Sequence, residues 1–140
     1  MTSPIEQTLV LVKPDGVRRN LTGEVLARIE RKGYVLRDLQ LVAPERALLE
    51  RHYEEHVGKP FFEPLVEFMS SGPVVAARIE GHGVVEGFRS LAGATDPTKA
   101  APGTIRGDLG RDWGGKVIEN IVHGSDSPES AERELGIWFA

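Results

Sequence analysis

Four apolar runs, at residues 7–12, 34–42, 74–80 and 117–123, set the limits on what this chain can fold into. The first, Gln7 to Val12, is rich in β-branched and aliphatic residues, as a buried strand is. Between the runs lie helical stretches. In residues 21–32, Leu21, Val25 and Ile29 recur every four positions, and Gly33 follows at the position where helices end in a left-handed turn. Pro44 opens a second helix, which Gly58 and Pro60 close. A third runs from Lys59-Pro60-Phe61-Phe62 to Ser71-Gly72-Pro73, and a fourth covers 83–92. Strands alternating with helices predict an α+β sandwich, an antiparallel sheet with helices on one face. At 140 residues the chain has the size of one domain, spanning 1–140.

The last run leads into Asn120-Ile121-Val122-His123-Gly124-Ser125-Asp126-Ser127-Pro128. Ser127 is a good N-cap, and Pro128 suits the first helical position. A histidine at the end of a strand, facing the start of a helix, is well placed to meet an anion. A free imidazole titrates near pH 6.5, so close to neutrality one ring nitrogen keeps its lone pair, as attack on phosphorus requires. On a helix over 128–138, Ala131, Leu135 and Trp138 share a face and Glu134 falls on its flank. A carboxylate leaning toward the packed side is costly unless it has a partner. His123 is the obvious one, with Ser125 able to bridge them. The plain alternative, a structural histidine beside a half-exposed glutamate, is the commoner case in an arbitrary chain.

Composition narrows the function classes. A net charge of −4 argues against a general nucleic-acid binder, so a polyanionic substrate must be met by a local cluster of Lys and Arg. There is no cysteine, hence no disulfide, thiol nucleophile or thiolate metal site, which is compatible with a reducing, cytoplasmic setting. The N-terminus lacks the pattern of a signal peptide, and no apolar run approaches the roughly 20 residues that span a membrane. Two motifs mislead. Gly110-Arg111-Asp112-Trp113-Gly114-Gly115-Lys116-Val117 fits the spacing of a P-loop, but Val117 replaces the hydroxyl that would hold Mg²⁺ and no buried strand precedes it. His52 and His56 have a zinc-like spacing, but Tyr53 stands where a metalloprotease has glutamate.

The stretch 120–128, together with Lys13-Pro14-Asp15-Gly16 and Pro102-Gly103-Thr104-Ile105-Arg106-Gly107-Asp108, resembles nucleoside diphosphate kinase. The likeness runs from about residue 7 to 139 with the motifs in the family's order. It implies a ferredoxin-like βαββαβ fold, with the helical pair 44–71 inserted between the second and third strands. It also implies ping-pong transfer of a γ-phosphoryl group from a nucleoside triphosphate to a diphosphate through a phosphohistidine on His123. By the same resemblance Lys13 and Asn120 grip the sugar, and Lys13 reaches the phosphate region. Arg89, Thr95, Arg106 and Tyr53 meet the phosphates. Phe61 stacks on the base with Leu65 beside it, and Glu134, aided by Ser125, orients the imidazole. Stacking ignores the base's hydrogen-bonding edge, so base tolerance is expected to be broad. Mg²⁺ would arrive with the nucleotide, held through phosphate oxygens and not by a protein ligand. The expected partners are nucleoside di- and triphosphates and further copies of the chain, as a homohexamer or homotetramer, with no membrane and no specific nucleic acid. The segment 110–119 departs from the common family pattern. The spacing from Arg106 to Asn120 is longer by about four residues, and Glu119 stands where an arginine usually precedes the asparagine.

Overall fold

The computed structural model describes residues 2–139. In chain order its elements are β1 (Ile5–Val12), α1 (Pro14–Arg18), α2 (Thr22–Arg31), β2 (Val35–Val42), α3 (Arg46–His52), α4 (Phe62–Met69), β3 (Val74–His82), α5 (Val84–Ala92), α6 (Ile105–Leu109), β4 (Val122–Gly124) and α7 (Pro128–Trp138). The strands form one antiparallel sheet in the order β2-β3-β1-β4. β1 pairs along its whole length with β3, from Ile5 opposite His82 to Val12 opposite Val75.

Side-chain alternation along the two central strands divides the core in two. Val10 and Val12 of β1, with Val75, Ala77 and Ile79 of β3, face a layer built from α2 (Val25, Ile29) and α5 (Val84, Phe88, Ala92). Leu9 and Leu11, with Val74 and Ala76, face the opposite layer: Leu49 of α3, Phe62, Val66 and Met69 of α4, and Leu135, Ile137 and Trp138 of α7. The helices of the βαββαβ unit, α2 and α5, therefore share one face as expected. The expectation of helices on one face does not hold for the chain as a whole, because the inserted pair α3–α4 and α7 close the other. The physical reason is visible in β1, whose unbroken apolar run from Leu9 to Val12 needs cover on both sides.

Three boundaries differ from the sequence expectation. The helix opened at Pro44 stops at His52, and a short 3₁₀ turn over Glu54–His56 follows, so His52 and His56 do not share a helical face. Residues 117–121 are not strand, and β4 begins only at Val122. Ile121 has φ +73, a left-handed conformation that a β-branched residue rarely adopts, and the ladder cannot run through it. The third difference is that the sequence reading foresaw neither of two short helices, α6 and, directly after β1, α1.

That short helix explains the strained residue. The Lys13 amide donates to the Ile121 carbonyl at 2.7 Å. The Ile121 amide donates to Oδ2 of the buried Asp15 at 3.0 Å. Gly16 lets the two segments meet, since a methyl group there would stand 2.8 Å from Val12 Cγ1 and 3.0 Å from Ile121 Cγ2. Gly16→Ala is expected to destabilise the protein by about 1–3 kcal/mol, the usual range for overpacking. Urea unfolding should show this as a lower midpoint at constant m-value. An unchanged midpoint would mean that the contact relaxes without cost.

Candidate functional site

His123 is the middle residue of β4 and sits opposite Leu11 of β1. The residue after it is a glycine for a steric reason: a methyl group on Gly124 would come within 2.6 Å of the Phe88 ring. This close approach brings the histidine alongside α5. Nε2 of His123 lies 2.8 Å from Oε1 of Glu134. The Ser125 hydroxyl donates to the same oxygen at 2.7 Å and accepts from the Leu9 amide at 3.4 Å. Ser125 thus anchors the carboxylate beside the histidine and does not stand between them. Burial pushes the Glu134 carboxyl up, but the hydrogen bonds from His123 and Ser125 and the nearby positive charge outweigh it and hold its pKa below the ordinary value. An ionised Glu134 only accepts, so Nε2 carries the imidazole proton and Nδ1 keeps the lone pair. The helix that supplies Glu134 starts as the sequence indicates, with Pro128 in its first turn and Ser127 accepting from the Ser130 amide at 3.1 Å.

A cavity of about 510 Å³ opens beside this histidine, with Lys13, Arg89, Thr95, Arg106 and Asn120 in its wall. Lys13 Nζ donates to Asn120 Oδ1 at 2.9 Å, and Asn120 Nδ2 donates to the Thr95 carbonyl at 2.9 Å. Arg106 donates to three backbone carbonyls: Asn120 at 3.2 Å, Gly93 at 2.9 Å and Val122 at 2.7 Å. Burial and the Arg106 charge lower the Lys13 pKa to about 8, against a smaller upward pull from Asp15. Burial and Arg89 bring the Arg106 guanidinium down to about 10. Arg89 is half-exposed and reaches Asp126 at 3.9 Å. Three cations share this wall with His123, and its two carboxylates, Glu86 and Asp126, make no contact with Lys13 or Arg106. Such a cavity is built for a polyanion.

The remaining expected residues are placed differently. Tyr53, Phe61 and Leu65 do not line this cavity. Tyr53 lies in an adjoining recess of about 190 Å³ that His123 and Glu134 share. Burial, reinforced by the Glu134 charge, raises the Tyr53 pKa, so it is a hydroxyl donor and not a phenolate. Phe61 immediately precedes α4 and is 49% exposed, whereas Phe62 is buried in the core. Two neighbouring phenylalanines therefore face opposite ways, as expected. Leu65 is partly buried against the second core. The segment 110–119 forms no part of the cavity wall except its neighbour Asn120, and Trp113 lies exposed with Arg19 and Arg111 over its ring. Lys116 is exposed and does not line the cavity.

Two contributors escaped the sequence reading. Asp15 was visible only as part of a motif, and nothing in the sequence pointed from it to Ile121. His52 was visible only as half of a histidine pair, yet its ring lies 4.8 Å from that of His123. Donor atoms of His52, His123 and Glu134 all fall within 4.8 Å of one another, a spacing that raises the question of a metal. The chemistry of the set answers it. Trp138 Nε1 donates to His52 Nδ1 at 3.1 Å, so the neutral His52 carries its proton on Nε2 and has no free lone pair for a cation.

Comparison with known proteins is consistent across the chain. The family model described as nucleoside diphosphate kinase matches residues 6–140. Nucleoside diphosphate kinase of Streptomyces avermitilis is 61% identical over 135 residues, covering 96% of this chain and 96% of that protein. The Saccharopolyspora erythraea enzyme of the same name is 62% identical over 135 residues, again covering 96% of each. Among solved structures, the Borrelia burgdorferi nucleoside-diphosphate kinase, a transition-state mimic with bound vanadate and ADP, superposes with a TM-score of 0.91. It is 37% identical and covers 97% of this chain and 88% of its own.

The lowered Lys13 pKa has a measurable consequence. As pH rises through about 8, Lys13 loses its charge and the free cavity loses affinity for anions. Lys13→Arg stays charged throughout. The ratio of native to Lys13→Arg affinity for tripolyphosphate should therefore fall between about pH 7.5 and 9.5. A ratio flat across that range would show that Lys13 is not the titrating cation.

Proposed function

The chain belongs to the nucleoside diphosphate kinase family, and from that premise we propose that His123 Nδ1 is the atom that carries the phosphoryl group. The enzyme is a phosphotransferase that moves phosphoryl groups between nucleotides through a phosphohistidine. The observation that carries the residue assignment is the 2.8 Å contact between His123 Nε2 and Glu134, which leaves Nδ1 as the free nitrogen beside a cavity of three cations. In the first half-reaction the Nδ1 lone pair forms the N–P bond. The bond between the γ-phosphorus and its bridging oxygen breaks, and the nucleoside diphosphate departs. The ring gains positive charge as it gains phosphorus, and the Glu134 carboxylate against Nε2–H offsets it. In the second half-reaction a terminal oxygen of another nucleoside diphosphate attacks phosphorus, and the N–P bond breaks. Dividing one transfer into two displacements gives ping-pong kinetics.

Phosphoryl transfer depends mainly on positioning and charge stabilisation. Lys13, Arg89 and Arg106 supply positive charge, and Tyr53 and Thr95 supply hydroxyls. Lys13 and Asn120, already joined at 2.9 Å, take the sugar. Phe61, exposed at the start of α4, takes the base, and Leu65 supports it from one turn on. The vanadate and ADP of the Borrelia burgdorferi relative support a site for a nucleotide beside a phosphoryl group. A divalent metal fits as a passenger on the nucleotide. The carboxylates in the cavity wall are Glu86 and the exposed Asp126, which do not form a cage. We assign Mg²⁺, held by phosphate oxygens, whose charge shields the phosphates when bound. The cytoplasm is the proposed setting, and one catalytic domain the proposed organisation. Among the described residues no helix is long and apolar enough to cross a membrane.

A homo-oligomer is also proposed, a hexamer before a tetramer. Supporting it, β2 is an eight-residue edge strand with Val35, Leu39 and Leu41 exposed, and an apolar groove between Leu26, Leu39 and Val75 runs beside it. An apolar edge of that length invites pairing with another chain. Sedimentation at micromolar concentration should show a species several times the 15.3 kDa chain mass, and a lone monomer would refute the assembly. For the chemistry, incubation with γ-labelled ATP and Mg²⁺ should give an acid-labile, base-stable label. It should be absent from a folded His123→Ala variant. Label persisting there would remove His123 from the mechanism.

A further inference from the structure

The helix that carries Glu134 makes a second attachment, one residue earlier. Nη1 of Arg133 donates to the Arg51 carbonyl at 3.0 Å, and Nη2 donates to the His52 carbonyl at 3.4 Å. These are the last two residues of α3. A helix leaves its final carbonyls without amide partners. A guanidinium placed there meets both the orphan oxygens and the negative end of the helix dipole. Carboxylates stand farther off, Glu54 at 3.7 Å and Glu134 at 3.8 Å, so the two carbonyls are the main partners of this side chain.

The attachment falls where α3 breaks without a local cause. Tyr53, Glu54, Glu55 and His56 include no glycine or proline. An α-helix running through them would send the Glu55 and His56 amides to the Arg51 and His52 carbonyls. Instead Tyr53 sits at φ −103, ψ 32, and the His56 amide donates to the Tyr53 carbonyl at 2.8 Å. The guanidinium takes the places of the two amides. The His52 carbonyl belongs to the peptide that leads into Tyr53, so holding it fixes the direction in which the phenol leaves the backbone. The His52 ring, bonded to Trp138, fixes only the residue before. Tyr53 thereby enters the recess that Arg133 lines together with His123 and Glu134.

We propose that Arg133 is a positioning residue for phosphoryl transfer: by holding the last carbonyls of α3 it stops that helix at His52 and sets the Tyr53 hydroxyl in the recess beside His123. The proposal rests on that hydroxyl serving the transfer, the role given to it above. Arg133→Met keeps most of the aliphatic stem and removes every donor. The measurement is the single-turnover rate of His123 phosphorylation at saturating ATP and Mg²⁺. Tyr53→Phe and Arg133→Met should each slow it by about three- to tenfold, with the half-saturating ATP concentration changing less. In the Tyr53→Phe background, adding Arg133→Met should cost less than about twofold, since no hydroxyl is left to misplace. A loss from packing alone would repeat there in full, and that result overturns the proposal. So does a native rate in Arg133→Met. Arg133→Gln, shorter and uncharged, is the second arm should the methionine variant not fold, and the same two outcomes decide it. A native rate in Tyr53→Phe removes the hydroxyl from the mechanism and overturns the premise instead, whatever the Arg133 variants do.

Discussion

The hydrogen bond from the Ile121 amide to the buried Asp15 carboxylate is the contact on which the site geometry rests. A β-branched residue in the left-handed region costs on the order of 1–2 kcal/mol, and only firm partners on both sides keep it there. Here one partner is a carboxylate, whose hydrogen bonds contribute about 1.5–3 kcal/mol, and the other is the Lys13 amide. The distortion has a clear effect. It turns the chain so that Asn120 faces Lys13 while Val122, two residues on, enters the ladder and sets His123 opposite Leu11. One turn thereby ties the two ends of the chain's functional sequence together, although they are more than a hundred residues apart.

Around that turn the charges are arranged against the interests of the empty protein. The surface ion pairs, such as Arg37 with Glu80 and Arg28 with Glu24, are partly solvated and contribute little to stability. In the cavity the opposite holds, for Lys13 and Arg106 sit close together and part-buried without a carboxylate in contact. Burial first, and then a neighbouring guanidinium, lowers the pKa of each. A chain with an overall negative charge has thus gathered three cations at one place against fewer carboxylates, and an anion relieves the excess.

Much of this was legible in the sequence, for identifiable reasons. The partnership of His123 and Glu134 followed from helical periodicity, because a carboxylate on a flank shared with Leu135 and Trp138 needed somewhere to go. The opposite orientations of Phe61 and Phe62 followed from adjacency alone. Other features left no one-dimensional trace. The break after His52 arises from Tyr53 leaving the helical region at φ −103, ψ 32, with no glycine or proline to announce it. The left-handed Ile121 contradicts the preference of its own side chain, so the strand was read as running through it. The cover on the second face of the sheet was implicit in the apolar run of β1. The family fold, with its two helices on one face, pointed away from that reading.

The Arg106 guanidinium bonds to three carbonyls on two segments, Gly93 on one and Asn120 and Val122 on the other, through all three of its nitrogens. Five N–H groups less three leaves two for a ligand. The side chain is therefore not a mobile arm that must be brought to rest each time a phosphate enters. The loss of its rotamer freedom is incurred once, when the chain folds, and each later encounter finds the charge already aimed. In thermodynamic terms part of the entropy of recognition has been moved out of the binding equilibrium and into the folding one.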